Sequence, residues 1–208
     1  REAKKIAKRD GGLVNPLPLL MNFLQVLVLA VLHRFWELGL PIRIIALKPR
    51  QKGSTTWFSA IDYWFMRIVA TSACVIGGEY EQTKAIWQIL QTYLANDKFD
   101  GWGNTGVIDE EKGRFTHGSQ LKKETARDRQ AGVSGTFQLV HATECGRWAA
   151  KGIANGAEVL SNLLKCVPLV PRSLVLLEST AEGDGGDFPE RWRKAVDADD
   201  FLSGKVTL

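Results

Sequence analysis

Apolar residues along this chain fall into two recurring patterns: short, nearly unbroken runs, and longer stretches spaced at helical intervals. The runs "IRIIALK", "ACVIGG", "TFQLVHAT" and "SLVLLEST" have the length and apolar character of buried strands. The intervening segments read differently. "PLPLLMNFLQVLVLAVLH" predicts a helix over about residues 18–37, stopped by Gly39 and Pro41. "TTWFSAIDYWFMRIVATS" predicts a second. In "EYEQTKAIWQILQTYLAND", Ala85, Ile86, Ile89, Leu90, Tyr93 and Leu94 share one helical face. "WAAKGIANGAEVLSNLLKCV" turns helical toward its end, and "DFPERWRKAVDA" places Pro189 in a first helical turn. "GVIDEEKGRFTHG" predicts a hairpin around Lys112 and Gly113. Strand and helix alternate, so the expected fold class is α/β, a mainly parallel central sheet with helices on both faces.

Composition narrows the class. With 208 residues, 45% apolar content and seven tryptophans, the chain holds one substantial domain with a full core and is not a disordered protein. The opening "REAKKIAKRD" has five basic and two acidic residues, so residues 1–15 read as a basic arm or linker and 16–208 as the domain. The net charge of +4 is compatible with nucleic acid without requiring it. The uninterrupted apolar run after Gln25 ends at Leu32, well short of the roughly 18–20 residues that cross a bilayer, so no membrane span is expected. The three cysteines lie far apart without a C-x-x-C pair, which argues against zinc and for a reducing, cytosolic compartment. The first residue is Arg, so the chain reads as a piece of a longer protein.

Three strand ends carry chemistry. In parallel α/β sheets, ligands collect at the carboxyl ends of strands. The first end is "LKPRQKGSTTW", a strand–loop–helix segment in which backbone N–H groups and the helix dipole favour an anion. Gly53 allows close approach, and Thr55 falls two residues later, where a hydroxyl would meet Mg²⁺. Ser54 stands where a phosphate loop normally has lysine, so Lys48 and Lys52 are the candidate replacements, with Arg50 as a further phosphate clamp. The second end is "LVHATECGRW". Glu144 is placed to polarise a water, and Thr143 replaces the Asp that usually assists the metal. His141 reads as a packed core histidine rather than a ligand. The third end is "LVLLESTAEGDGGDF", where Ser179 and Thr180 could sense a γ-phosphate ahead of a glycine-rich acidic loop.

In this order, the three segments resemble the ATPase domain of the large terminase subunit, the DNA-packaging motor of tailed bacteriophages. "LKPRQKGSTTW" is similar to that family's deviant phosphate loop, in which some members carry the lysine at the position of Lys48. "LVHATECGRW" is similar to its second motif, and "ESTAEGDGGDFPERW" to its coupling motif. "PLLMNFLQ" resembles an upstream adenine-contacting segment, which sets Gln25 against the base. The resemblance spans about residues 16–192. It implies a three-layer P-loop NTPase of the additional-strand type, with ATP and Mg²⁺ as cofactors. The expected ATP-binding residues are Gln25, Lys48, Arg50, Gln51, Lys52, Gly53, Ser54, Thr55 and Thr56, with Thr55 and Thr143 toward Mg²⁺, the latter through water.

The same resemblance implies hydrolysis coupled to moving double-stranded DNA into a procapsid. A homo-oligomeric ring, the portal protein and the small terminase subunit are the expected partners, in the host cell cytoplasm. A nuclease domain follows the ATPase domain in the family; the chain ends at Leu208, so no nuclease activity is expected of it. The family often has a compact basic turn before the second motif, where this chain reads "RDRQAGVSGT". Arg129, or else Arg127, is the candidate charge-stabilising finger, acting in cis or on a neighbour. Candidate DNA contacts are Lys122, Lys123, Arg127, Arg191, Arg193 and Lys194. Two alternatives stay open: a P-loop module that binds without catalysis, and another helicase or translocase of the same ATPase class.

Overall fold

A computed structural model describes residues 21–50, 53–97, 106–131, 135–153, 155–183 and 185–204. The first helix, α1 (Phe23–Glu37), begins at a reciprocal cap: Asn22 Oδ1 accepts from the Gln25 N–H, and Gln25 Oε1 accepts from the Asn22 N–H. Residues 18–20 of the expected helix lie outside the described residues. The helix stops where expected, with Gly39 in a left-handed conformation just beyond it. Strand β1 (Ile42–Leu47) leads through the loop into α2 (Ser54–Ile68), followed by β2 (Ser72–Gly77) and α3 (Tyr80–Asn96). Then come β3 (Gly106–Ile108), β4 (Lys112–Phe115), β5 (Gln120–Thr125) and β6 (Leu139–Thr143). A 3₁₀ turn (Cys145–Arg147), α4 (Gly156–Lys165), β7 (Leu174–Ser179), α5 (Asp187–Lys194) and α6 (Ala198–Leu202) complete the described chain.

The seven strands form one sheet in the order β1-β7-β6-β2-β5-β4-β3. The first five of that order run parallel, and β4 and β3 add an antiparallel edge. The strand that leads into the loop, β1, is therefore not beside β6; β7 is inserted between them. This is the expected α/β class with its additional strand.

Two apolar layers follow from the two-residue period of the strands. Ile42, Ala46, Ala73, Val75, Leu139, Leu174 and Leu176 face α1, α2, α3 and α6. Cys74, Ile76, Val140, Ala142, Val175 and Leu177 face α4, α5 and the 3₁₀ turn. Phe35 of α1 stacks on Phe201 of α6 at 4.6 Å, which ties the end of the described chain to its beginning.

Two elements depart from the sequence expectation. "QLKKET" forms β5, although it has none of the apolar run that marks the other parallel strands. Only Leu121 is buried in it, and its backbone pairs with β2 on one side and β4 on the other. The hairpin turn falls at residues 109–111 rather than at Lys112 and Gly113, which lie within β4. Asp109 decides this, because its carboxylate accepts the N–H groups of Glu111 and Lys112.

Candidate functional site at three strand ends

Strands β1, β7 and β6 are adjacent, so their carboxyl ends bring the three sequence segments together. Alternation decides which side chains meet. Ala46 and Thr143 lie opposite Glu178 in the registers of β1 and β6 with β7. Counting by twos, residues 46 and 48, 141 and 143, and 176 and 178 belong to the face that α2 covers.

Lys48 is the centre of the site. It is 8% exposed, and its Nζ donates to Thr55 Oγ1 at 2.5 Å. The same Nζ lies 3.0 Å from Glu178 Oε1 and 3.2 Å from Glu144 Oε1. One ammonium thus joins the end of β1, the first turn of α2, the end of β7 and the turn after β6. Gln51 and Lys52 lie outside the described residues, and so do Val133, Ser134 and Asp184.

The loop closes onto α2 through Gly53, whose φ of 71° is left-handed. Nothing lies within 4 Å of a Cβ built there, so the backbone angle, not space, calls for glycine. Among the described residues no side chain caps this helix start, and its first turn holds no acidic residue. The leading N–H groups are therefore available to an anion. Ser54 is buried, and its Oγ has no hydrogen-bond partner among the described residues. Thr56 offers its carbonyl to Tyr93 Oη at 2.9 Å, which fixes the helix start against α3.

Glu144 stands at φ 54°, ψ 33°, a conformation that costs a non-glycine residue about 1–2 kcal/mol. The turn gives its carboxylate two sets of partners. Oε1 meets Lys48, and Oε2 accepts from Thr180 Oγ1 at 2.9 Å and from the Thr180 N–H at 3.3 Å. Thr180 is thus bonded directly to the candidate catalytic carboxylate. Ser179 Oγ accepts from the Gly146 N–H at 3.1 Å and donates to the Thr180 carbonyl at 2.8 Å. A Cβ at Gly146 would lie 2.9 Å from Ser179 Oγ, so this approach needs a glycine.

Behind these groups runs a buried charge network that sequence reasoning reached only in part. Thr143 Oγ1 donates to Glu178 Oε1 at 2.7 Å. His141 Nε2 lies 3.5 Å from the same oxygen, close enough for ion pairing but without hydrogen-bond geometry. On its other side His141 Nδ1 meets Asp62 Oδ2 at 2.5 Å. Asp62, His141 and Glu178 are fully buried. His141 is the packed, partnered core histidine expected. Asp62 and Glu178 were not singled out. The signal for Asp62 was a lone acid within the apolar "AIDYWF", and for Glu178 an acid two residues after Leu176 on the same strand face.

Burial alone would push the Glu178 carboxyl up and the His141 imidazole down. For Glu178, His141 together with Lys48 and the Thr143 hydroxyl outweighs burial and holds the carboxyl at about 2. For His141, Asp62 and Glu178 outweigh it and raise the imidazole to about 10. Burial raises Asp62, with His141 opposing. The histidine is therefore an imidazolium, facing ionised Glu178 on one side and the Asp62 carboxyl on the other.

The remaining expected residues lie around this centre. Gln25 is buried; its Nε2 reaches the Gly53 carbonyl at 3.5 Å while its Oε1 serves the α1 cap. Its amide ties α1 to the loop. Arg50 faces Glu182 at 3.8 Å, and Arg147 Nε lies 2.9 Å from the same Glu182 oxygen, so one carboxylate spans two strand ends. Arg127 pairs with Glu79 at 3.1 Å. Arg129 donates Nε at 2.6 Å and Nη2 at 3.2 Å to the Asn155 amide oxygen, in the amide orientation that satisfies both groups. Neither arginine is brought to Lys48 or Glu144 within the described chain.

The candidate DNA contacts divide between β5 with its exit and α5. Lys122 pairs with Glu124 at 2.5 Å, Lys123 donates to the Glu110 carbonyl and lies over Trp87 and Tyr80, and Arg191 pairs with Asp187 at 2.5 Å. A cleft of about 350 Å³ opens at the end of β5 between Tyr80, Thr83, Lys122, Lys123, Thr125 and Asp128, away from the three strand ends. No described helix is long and apolar enough to cross a membrane.

The donors around Lys48 Nζ are hard oxygens from a hydroxyl and two carboxylates, a set suited to Mg²⁺ rather than to a soft metal. Among the described residues, no group of three or more His, Cys, Asp or Glu could hold a metal ion. Mg²⁺ held through few protein groups and substrate phosphates needs no such cage.

No family model matches the sequence, and no curated protein matches it. Among solved structures, the fold is similar to that of the large terminase of bacteriophage HK97, with a TM-score of 0.63 at 14% identity. The likeness covers 91% of this chain and 38% of the HK97 protein. The chain therefore has a terminase-like fold and corresponds to well under half the length of that structure.

Proposed function

We propose that this chain is the ATP-hydrolysing motor domain of a large terminase, using Mg²⁺ and coupling hydrolysis to the movement of double-stranded DNA into a procapsid. The observation that carries the reading is the convergence on Lys48: one buried ammonium joins Thr55, Glu144 and Glu178 where three parallel strands end. Phosphoryl transfer requires mainly positioning and charge neutralisation, and these residues supply both. Lys48 neutralises phosphate charge, with Arg50 at the rim. The start of α2, from Gly53 to Thr56, presents backbone N–H groups. Thr55 and Thr143 offer hydroxyls toward Mg²⁺, which when bound neutralises phosphate oxygens. Glu144 orients and deprotonates the attacking water.

Thr180 donates to the Glu144 carboxylate, so any shift of that carboxylate is felt at the start of the loop before α5. This supports Ser179 and Thr180 as the coupling segment. The proposed setting is the host cytoplasm, in a ring of identical subunits on the portal protein, with the small terminase subunit as a further partner. Arg127 and Arg129 are the proposed finger candidates; their contacts within one chain favour action on a neighbour.

The test measures ATP hydrolysis and nucleotide binding by wild type, Lys48→Ala and Glu144→Gln, with and without DNA. Glu144→Gln is expected to bind nucleotide while losing about 10²-fold or more of the hydrolysis rate. Lys48→Ala is expected to lose binding. Equal hydrolysis by Glu144→Gln and wild type sinks the catalytic role of Glu144, and a wild type that binds nucleotide without hydrolysing it leaves a nucleotide-binding module.

A further inference from the structure

The turn after β6 lacks one carboxylate. Thr143 stands immediately before Glu144 and contributes a hydroxyl without charge. The neighbouring strand has a carboxylate at that same level, since Glu178 of β7 is the register partner of Thr143. Its Oε1 accepts the Thr143 hydroxyl at 2.7 Å and meets Lys48 Nζ at 3.0 Å. Its Oε2 is buried and has no hydrogen-bond partner among the described residues. A fully buried carboxylate oxygen without a partner is costly, and such an atom beside a candidate cation site calls for a cationic or water partner.

We propose that Glu178 supplies from β7 the second acidic group that β6 does not carry, acting as a positioning residue for a divalent cation and for Lys48. This deepens the ATPase reading and rests on it. Asp62 and His141 are the back support. Asp62 anchors the imidazole at 2.5 Å, and the imidazolium faces Glu178 at 3.5 Å. The carboxylate is thereby restrained before any ligand arrives. Relocation of the charge explains why both Lys48 and Thr143 point to one oxygen of Glu178. A purely structural ion pair with His141 would involve neither the loop lysine nor the threonine before Glu144.

The experiment measures equilibrium binding of a non-hydrolysable ATP analogue to the full chain across a Mg²⁺ titration. It compares wild type with Glu178→Gln, Glu178→Asp and the transposed pair Thr143→Asp/Glu178→Thr. Glu178→Gln is expected to raise the half-saturating Mg²⁺ concentration by about 10- to 100-fold while binding of the metal-free analogue persists. Glu178→Asp recovers part of the loss, and the transposed pair returns close to wild type. A folded Glu178→Gln with an unchanged Mg²⁺ requirement overturns the proposal and reduces Glu178 to a partner of His141. Should Glu178→Gln not fold, the transposed pair decides: a wild-type Mg²⁺ requirement upholds the relocated charge, and a tenfold rise refutes it. A wild-type chain that binds no analogue at any Mg²⁺ concentration overturns the ATPase reading itself, and this inference with it.

Discussion

At the scale of single residues, the molecule concentrates charge where it has least water. Asp62, His141 and Glu178 are fully buried, and each is tolerable only beside the next. Removing the middle member leaves two buried carboxylates without it, so His141→Ala is expected to cost about 3–5 kcal/mol in chemical denaturation. The network also has a pH signature. His141 is raised from 6.5 to about 10, so its stabilisation is complete below 6.5 and disappears as pH rises through about 10. Glu178 is lowered from 4.5 to about 2, so its contribution is complete above 4.5 and disappears as pH falls through about 2. The stability gap between wild type and His141→Gln should therefore be widest between 4.5 and 6.5 and shrink toward pH 10. Denaturation midpoints across that range check this; a gap that grows above pH 8 contradicts the imidazolium assignment.

At the scale of elements, the loop and turns that present these residues depend on two glycines with different duties. Gly53 serves a left-handed angle in open space, so Gly53→Ala should cost only about 1–2 kcal/mol, with Gly53→Asn milder. Gly146 serves a close approach. Its alanine variant meets Ser179 Oγ at 2.9 Å and must push the 3₁₀ turn away from the end of β7. Gly146→Ala is expected to disturb the Glu144–Thr180 contact and lower hydrolysis more than it lowers the melting temperature. A joint measurement of ATPase rate and melting temperature separates the two glycines. Elements also differ in how plainly the sequence announces them. β2, β6 and β7 stand out as apolar runs because helices cover both faces of the sheet, and β1 shows a similar run although it is only partly buried at the sheet edge. β5 does not, because its one buried apolar residue is Leu121 and its backbone pairing cannot be seen in its own composition.

At the scale of the whole molecule, the sheet order brings separate motifs together, while the basic residues remain divided. If DNA is gripped through phosphates, affinity should fall steeply with salt, and Lys194→Ala should reduce the slope of log affinity against log salt by about one. Arg127 and Arg129 make their contacts away from Glu144, to Glu79 and Asn155. A finger acting on a neighbour predicts complementation. Mixing Glu144→Gln with a finger-arginine variant should restore hydrolysis that neither shows alone, read as ATPase rate against mixing ratio.

The sequence by itself determined the local facts: where apolar runs become strands, where glycine and proline end helices, and that Lys48, Glu144 and Thr180 follow strand ends. Those are consequences of backbone sterics and side-chain period, which act over a few residues. The two-residue period also sets 46 with 48, 141 with 143 and 176 with 178 on one side of its own strand. What it did not carry was that β7 lies between β1 and β6, or that Asp62 on α2 sits behind His141. Strand order depends on how helices bury apolar area on both faces of the sheet, and that balance is non-local. Only tertiary structure therefore decided that Glu178 stands beside Thr143, and that Lys48 faces one carboxylate on β7 and another in the turn after β6.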